Sequence, residues 1–393
     1  MPSKHPATNT NPAPFSFQRK FDFLKLATQT SYGDIKDDIH NIIKRHDTTS
    51  LFHLAKDFVG SSAWITNSLI SIFKKSTANT PNFPPSARHN EIIDHIARNI
   101  PLHHSFKNSE IFYSIYVECL LKHTIQGYSS SIRCPVIFPT IVLVSGVLNE
   151  IYKTAAFERG VRNISKINNL KYIVASTHGL KSAKHNAKLI RDQLFEYSKD
   201  HPDEKLWLLA YSKGGLDCLY FLKRHPEWSK KNIVGLSTIA SPLLGSQHID
   251  STIFQMINKI HLYENNRLYK SIDKKIDILA KEFQQSLNSR HQTHWFQKNF
   301  HLFPKNLFYS ALALEANWYE SHIYMILAKI FFPSGSSNDG VVDAKSAQFP
   351  SYFNSINLGV IKGHHLIGAR SSSFAQEALI EAHIIFLKYF NYV

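Results

Sequence analysis

Apolar positions along the chain change their period near residue 135. From Phe17 to Phe73 they recur at helical spacing, as in Ile35, Ile39, Ile42 and Ile43, and the same spacing returns from Glu91 to Ile125. Both stretches are therefore predicted to be helical. Between them, "STANTPNFPPSARH" at 76–89 sets three prolines among small polar residues and reads as an exposed linker or long loop. The opening "MPSKHPATNTNPAPF" has no periodicity and predicts disorder over 1–15, which leaves 16–135 as a helical N-terminal region.

After Cys134 short apolar runs take over. "IVLV" at 141–144, "KYIVAS" at 171–176, "LWLLA" at 206–210, "NIVGLSTIAS" at 232–241 and "NLFYSALALE" at 306–315 read as strands buried on both faces. Helical patterns separate them. "YKTAAFERGVRNISKI" is one, and "SAKHNAKLIRDQLFEYSKDHP" places Ala187, Ile190, Leu194 and Tyr197 on one face before Pro202 stops it. "GLDCLYFLKRH" ends before Pro226, "SHIYMILAKIFF" follows the fifth strand, and an amphipathic helix is expected from about Ser372 to Tyr389. Strands alternating with helices predict an α/β fold with a mostly parallel sheet covered on both faces, over 136–393. The alternation lapses between Ser251 and Pro304, a stretch with a helical pattern, mixed charge and Trp295 and Phe296 in exposed-looking positions.

Composition adds a charge. A formal net charge of +15 favours anionic partners, such as an anionic membrane surface. The basic residues are scattered in pairs such as Lys74-Lys75, Lys230-Lys231 and Lys274-Lys275, so nucleic acid is not expected. "FVGSSAWITNSLISIF" at 58–73 is too interrupted to span a membrane and reads as a buried helix; a helix lying on a membrane surface is the other reading. Cys119, Cys134 and Cys218 are odd in number and lack metal spacing, so no disulfide framework and no metal site is expected. Without a secretory signal pattern the expected location is cytoplasmic, with peripheral membrane attachment as a variant.

Candidate chemistry starts at "LLAYSKGGLDCLYF", 208–221. A serine hydroxyl becomes a nucleophile when a base takes its proton and donors hold the developing oxyanion. A tight strand-to-helix turn serves this purpose and needs small residues two before and two after the serine. Ala210 and Gly214 flank Ser212 in that way, and the helix that follows makes the Lys213 N–H one oxyanion donor. The loop "VSGVLNE" after the 141–144 strand places the Val147 N–H as the other. Asp339 in "SSNDGVV" is the candidate acid, with Asp343 as its competitor; His364 and His365 in "KGHHLIG" are the candidate bases.

Serine, aspartate and histidine in that chain order, with "LVSGV", "AYSKGG", "STIASPLLGSQHID", "LFYSA", "NDGVVDAKSA" and "HHLIG", resemble bacterial triacylglycerol-lipase-like members of the α/β-hydrolase superfamily over roughly 138–385. The resemblance implies an α/β-hydrolase fold with a helical N-terminal extension and a cap or lid at about 251–304. In that family's Asp-His-Leu segment the histidine precedes leucine, which favours His365 over His364. Ser145 stands where such lipases usually have His, and Ala210 replaces the first elbow glycine. The carboxylates that hold calcium in related lipases are missing around "HHLIGAR", and no cofactor is implied. The expected activity is hydrolysis of carboxylic esters or lipids through Ser212, Asp339 and His365. Acyl transfer or phospholipase action by the same residues is the alternative within the class, and a non-catalytic binding module the alternative outside it.

Overall fold

The computed structural model describes residues 88–102, 106–146, 155–179, 181–246, 287–316, 336–370, 372 and 374–393. The expectations for 1–15, for the helices and linker up to residue 87, for Val147, for 247–286 and for a helix over 321–332 lie outside the described residues.

Among the described residues, six strands form one parallel sheet: β1 (Thr140–Val144), β2 (Tyr172–Ala175), β3 (Leu206–Tyr211), β4 (Ile233–Ile239), β5 (Phe308–Glu315) and β6 (Ile356–Lys362). Their order across the sheet is β2-β1-β3-β4-β5-β6, parallel at every pairing. The strand order reverses between β1 and β3. In parallel α/β sheets a crevice for ligands opens beyond the carboxyl ends of the strands at such a point.

Successive side chains on a strand point to opposite faces, and β3 shows what each face packs against. Trp207, Leu209 and Tyr211 enter a buried cluster with α1 (His89–Ala97), α2 (Asn108–Thr124), α3 (Glu158–Asn168) and α8 (Gln376–Tyr389). Leu206, Leu208 and Ala210 enter a second cluster with α4 (Ala183–Asp200), α5 (Gly214–Arg224) and α7 (Ser289–Asn299). Short α6 (Pro226–Asn232) uses Pro226 in its first turn to leave α5 and enter β4. Each fully buried leucine of this core contributes about 1.5–3 kcal/mol relative to exposure.

Helices α1 and α2 precede the expected start of the α/β region at 136, yet their apolar residues share one cluster with α3, α8 and β6. Glu381 of α8, buried between the helices, accepts from Lys122 Nζ at 2.5 Å and pairs with His123 Nε2 at 2.6 Å. Burial acts to raise that carboxyl, but His123 and Lys122 hold it below its ordinary value. α8 is not amphipathic as expected: every residue from Ala378 to Leu387 is buried, because helices cover it on several sides.

The stretch 287–304, read from sequence as the end of a cap with exposed aromatics, differs as well. Phe296 is fully buried and meets Phe353 edge-on at 5.3 Å, while Trp295 stacks on Tyr220 of α5 at 4.0 Å. α7 therefore belongs to the layer packed on the sheet.

His383 on α8 is wholly buried, with Nδ1 2.8 Å from Leu379 O and its ring 4.8 Å from that of Phe112. Burial lowers its pKa to about 4 from 6.5. Between those values the unfolded chain binds a proton that the fold rejects, so stability falls as pH drops through this window. The stability of wild type relative to His383→Leu, read by urea unfolding, should fall from pH 7.5 to 4.5 by an amount on the order of 2 kcal/mol. A constant gap would mean that His383 protonates inside the fold.

Candidate active site

β3 ends in a turn that no ordinary serine position requires. Ser212 has φ 55°, the left-handed region that costs a non-glycine residue about 1–3 kcal/mol. Its N–H donates to Ile239 O at 3.0 Å, tying the turn to β4. A Cβ on Gly214 would lie 2.4 Å from Val144 O, and one on Gly215 2.4 Å from Ser241 Oγ. The close approach of α5 to β1 thus excludes any side chain at 214. This is the steric need that Ala210 and Gly214 indicate in the sequence.

The turn aims Ser212 Oγ at His365, whose Nε2 is 2.8 Å away. His365 follows β6, and its other ring nitrogen, Nδ1, is 2.6 Å from Asp339 Oδ2. The second oxygen of Asp339 accepts the N–H groups of Val341 and Val342 at 2.9 and 2.8 Å, the local bonding expected of an Asn-Asp-Gly turn. The His365 N–H also donates to Asp339 O at 2.9 Å. Asp339 and His365 are both buried. An ionised Asp339 fixes the proton on Nδ1 and leaves Nε2 free to accept from the serine hydroxyl.

The competing residues stand elsewhere. Asp343 Oδ1 accepts the Ser346 N–H at 2.9 Å as a turn former, and His364 Nδ1 accepts the Leu366 N–H at 3.1 Å. Neither makes the bridge to Ser212.

Beside Ser212, β1 is followed by Ser145 and Gly146. A Cβ at 146 would stand 2.8 Å from Lys213 N and 3.0 Å from Ser212 Oγ, so only glycine lets the backbone come this close. The expected donor at Lys213 therefore faces this loop. Val147, the other expected donor, lies outside the described residues. Ser145 Oγ accepts the Ala156 N–H at 2.7 Å, so the serine found in place of histidine still holds the returning chain.

Three features behind the site lie beyond the sequence expectations. The hydroxyl of Tyr211 donates to His365 O, and its ring stacks on the imidazole at 5.4 Å and 26°. Lys213, 1% exposed, puts Nζ 2.7 Å from Asp217 Oδ1, and Asp217 Oδ2 accepts from Asn186 Nδ2 at 2.8 Å. Burial pushes the Asp217 carboxyl up, and the Lys213 ammonium opposes that shift. Removing either partner would strand a buried charge at a cost of about 3–5 kcal/mol. The signal in the sequence was an aspartate in "GLDCLYF", one helical turn after a lysine and otherwise surrounded by apolar residues.

Among the described residues no group of three or more His, Cys, Asp or Glu side chains is placed to hold a metal ion, and no helix is long and apolar enough to cross a membrane. Cys119, Cys134 and Cys218 are free thiols.

No protein-family model and no curated protein sequence matches the chain. Solved structures do. A metagenomic carboxyl esterase aligns at 18% identity with a TM-score of 0.53, over 67% of this chain and 79% of its own. The mature form of a Bacillus licheniformis lipase aligns at 20% identity with a TM-score of 0.43, over 61% and 90%. With its parallel sheet, its layers of helices and its elbow at the end of β3, this chain has the α/β-hydrolase fold.

Proposed function

We propose that the chain is a serine hydrolase of carboxylic esters. The observation that carries this reading is the hydrogen-bonded line from Ser212 Oγ through His365 to Asp339, with the serine held in a strained left-handed turn. An ordinary turn serine needs neither the strain nor the buried imidazole. The carboxyl esterase with the same fold favours an ester as substrate.

Ser212 Oγ attacks the ester carbonyl while His365 Nε2 takes its proton. Asp339 stabilises the imidazolium through Nδ1 and is not itself protonated. The N–H groups of Lys213 and Val147 hold the oxyanion of the tetrahedral intermediate. That intermediate collapses, His365 returns the proton to the departing alkoxide, and an acyl-enzyme remains. Water, deprotonated by His365, then releases the acid and restores Ser212. An alcohol in place of water would give acyl transfer with the same groups. The +15 charge favours esters presented at an anionic surface, phospholipids included.

A fluorophosphonate probe tests the nucleophile without knowledge of the substrate. Wild-type protein should label, and Ser212→Ala should not. A wild type that fails to label would leave the binding-module reading in its place, and a variant that labels equally would overturn Ser212 as the nucleophile.

A further inference from the structure

A cation and an anion are buried directly behind Ser212, where the triad has no use for either. Lys213 supplies its backbone N–H to the proposed oxyanion site and sends its side chain the other way, to Asp217. Asp217 accepts from Asn186 on α4, and Asn186 is fixed to the backbone of His178 in both senses: its Oδ1 accepts the His178 N–H at 3.1 Å and its Nδ2 donates to His178 O at 2.9 Å. One residue back, the Thr177 hydroxyl donates to Ser145 O at 3.0 Å. The connected set begins at the Lys213 amide and ends at the Ser145-Gly146 turn. These two backbone segments flank Ser212 Oγ.

We propose that this set is a brace for the oxyanion site, in which Asp217, Asn186 and Thr177 act as positioning residues that fix the gap between the Lys213 amide and the Gly146 turn. The proposal rests on the hydrolase reading. An oxyanion donor works only within about 2.7–3.1 Å of the developing charge, and a displacement near 1 Å costs about 100-fold in rate. The two sides of the gap, the Ser145-Gly146 segment after β1 and the Lys213 amide after β3, are joined here through Thr177, His178 and, on α4, Asn186. A buried ion pair is a poor choice for stability alone, because apolar residues of similar volume do as well or better. As a link between two loops it has a use that apolar residues lack.

Thr177→Val keeps the shape of the side chain and removes only the bond to Ser145 O; Asn186→Leu cuts the middle of the brace. The paired variant Lys213→Met with Asp217→Leu removes both charges together, so no unpaired charge is left behind. With a p-nitrophenyl ester, each should lower kcat by roughly 10- to 100-fold with KM within about twofold. Affinity for a trifluoromethyl ketone, whose hydrated or serine-bound oxygen mimics the oxyanion, should fall in parallel with kcat/KM. The paired variant should melt within a few degrees of wild type and remain slow. If Thr177→Val and Asn186→Leu both keep kcat within twofold, or if kcat falls while the ketone binds as before, the brace is overturned. Should Asn186→Leu fail to fold, Thr177→Val decides alone. A wild type that turns over with unimpaired variants sinks only the brace, and a wild type inert to both ester and fluorophosphonate sinks the hydrolase reading with it.

Discussion

His365→Ala is expected to lower kcat for ester hydrolysis by roughly a millionfold, whereas His364→Ala should leave it within about threefold. The two imidazoles are adjacent in sequence but differ in what they reach. His365 Nε2 is 2.8 Å from Ser212 Oγ and Nδ1 is 2.6 Å from Asp339, while the ring of His364 accepts a backbone N–H from Leu366. Without the His365 base the hydroxyl of Ser212 stays protonated, and the oxyanion donors have no intermediate to hold. Such groups act as a unit, so losing one costs nearly as much as losing all. Initial rates with p-nitrophenyl esters, alongside circular dichroism to check folding, give the comparison. A loss confined to His364→Ala, or equal losses in both, would reverse the assignment.

Asp339→Asn should cost roughly 10⁴-fold in kcat with KM little changed, while Asp343→Asn should be nearly silent. The asparagine can still accept the N–H groups of Val341 and Val342 through its carbonyl oxygen, so the turn survives. Its amide, however, donates towards Nδ1 of His365 and drives the proton to Nε2. That tautomer presents an N–H to Ser212, where an acceptor is needed. The defect is one of proton placement rather than of folding, and thermal melts should differ little between Asp339→Asn and wild type. A comparable loss from Asp343→Asn would contradict the geometry, in which Asp343 only caps the Ser346 N–H.

Much of this site was legible because each part obeys a local rule. Gly214 is required by a carbonyl 2.4 Å from its absent side chain, and Asp339 sits in a turn whose own N–H groups satisfy it. β1, β3, β4 and β5 stood out as apolar runs because the layers of helices bury both faces of the sheet there. β2, read as buried too, ends the strand order and is only partly covered, with Val174 exposed. What escaped depends on partners distant in sequence. The stripe that α7 buries is Gln292, Phe296 and Asn299, two polar residues in three, so its pattern reads as exposed. α8 loses its amphipathic meaning when α2, from the other end of the described chain, covers it. Asn186 and Asp217 meet across 31 residues, and nothing in either helix indicates the other.

The pairing of α2 with α8 also bears on the order of synthesis. Lys122 leaves the ribosome 259 residues before Glu381, the partner that its side chain contacts in the fold. At about 5–20 residues per second that interval is roughly 13–50 s, during which Phe112, Ile115 and Tyr116 have emerged and the helix that buries them has not. Folding of this core is therefore gated by translation. For that interval Phe112, Ile115 and Tyr116 lack the helix that packs on them in the fold, so this part of the core cannot be completed before α8 is made.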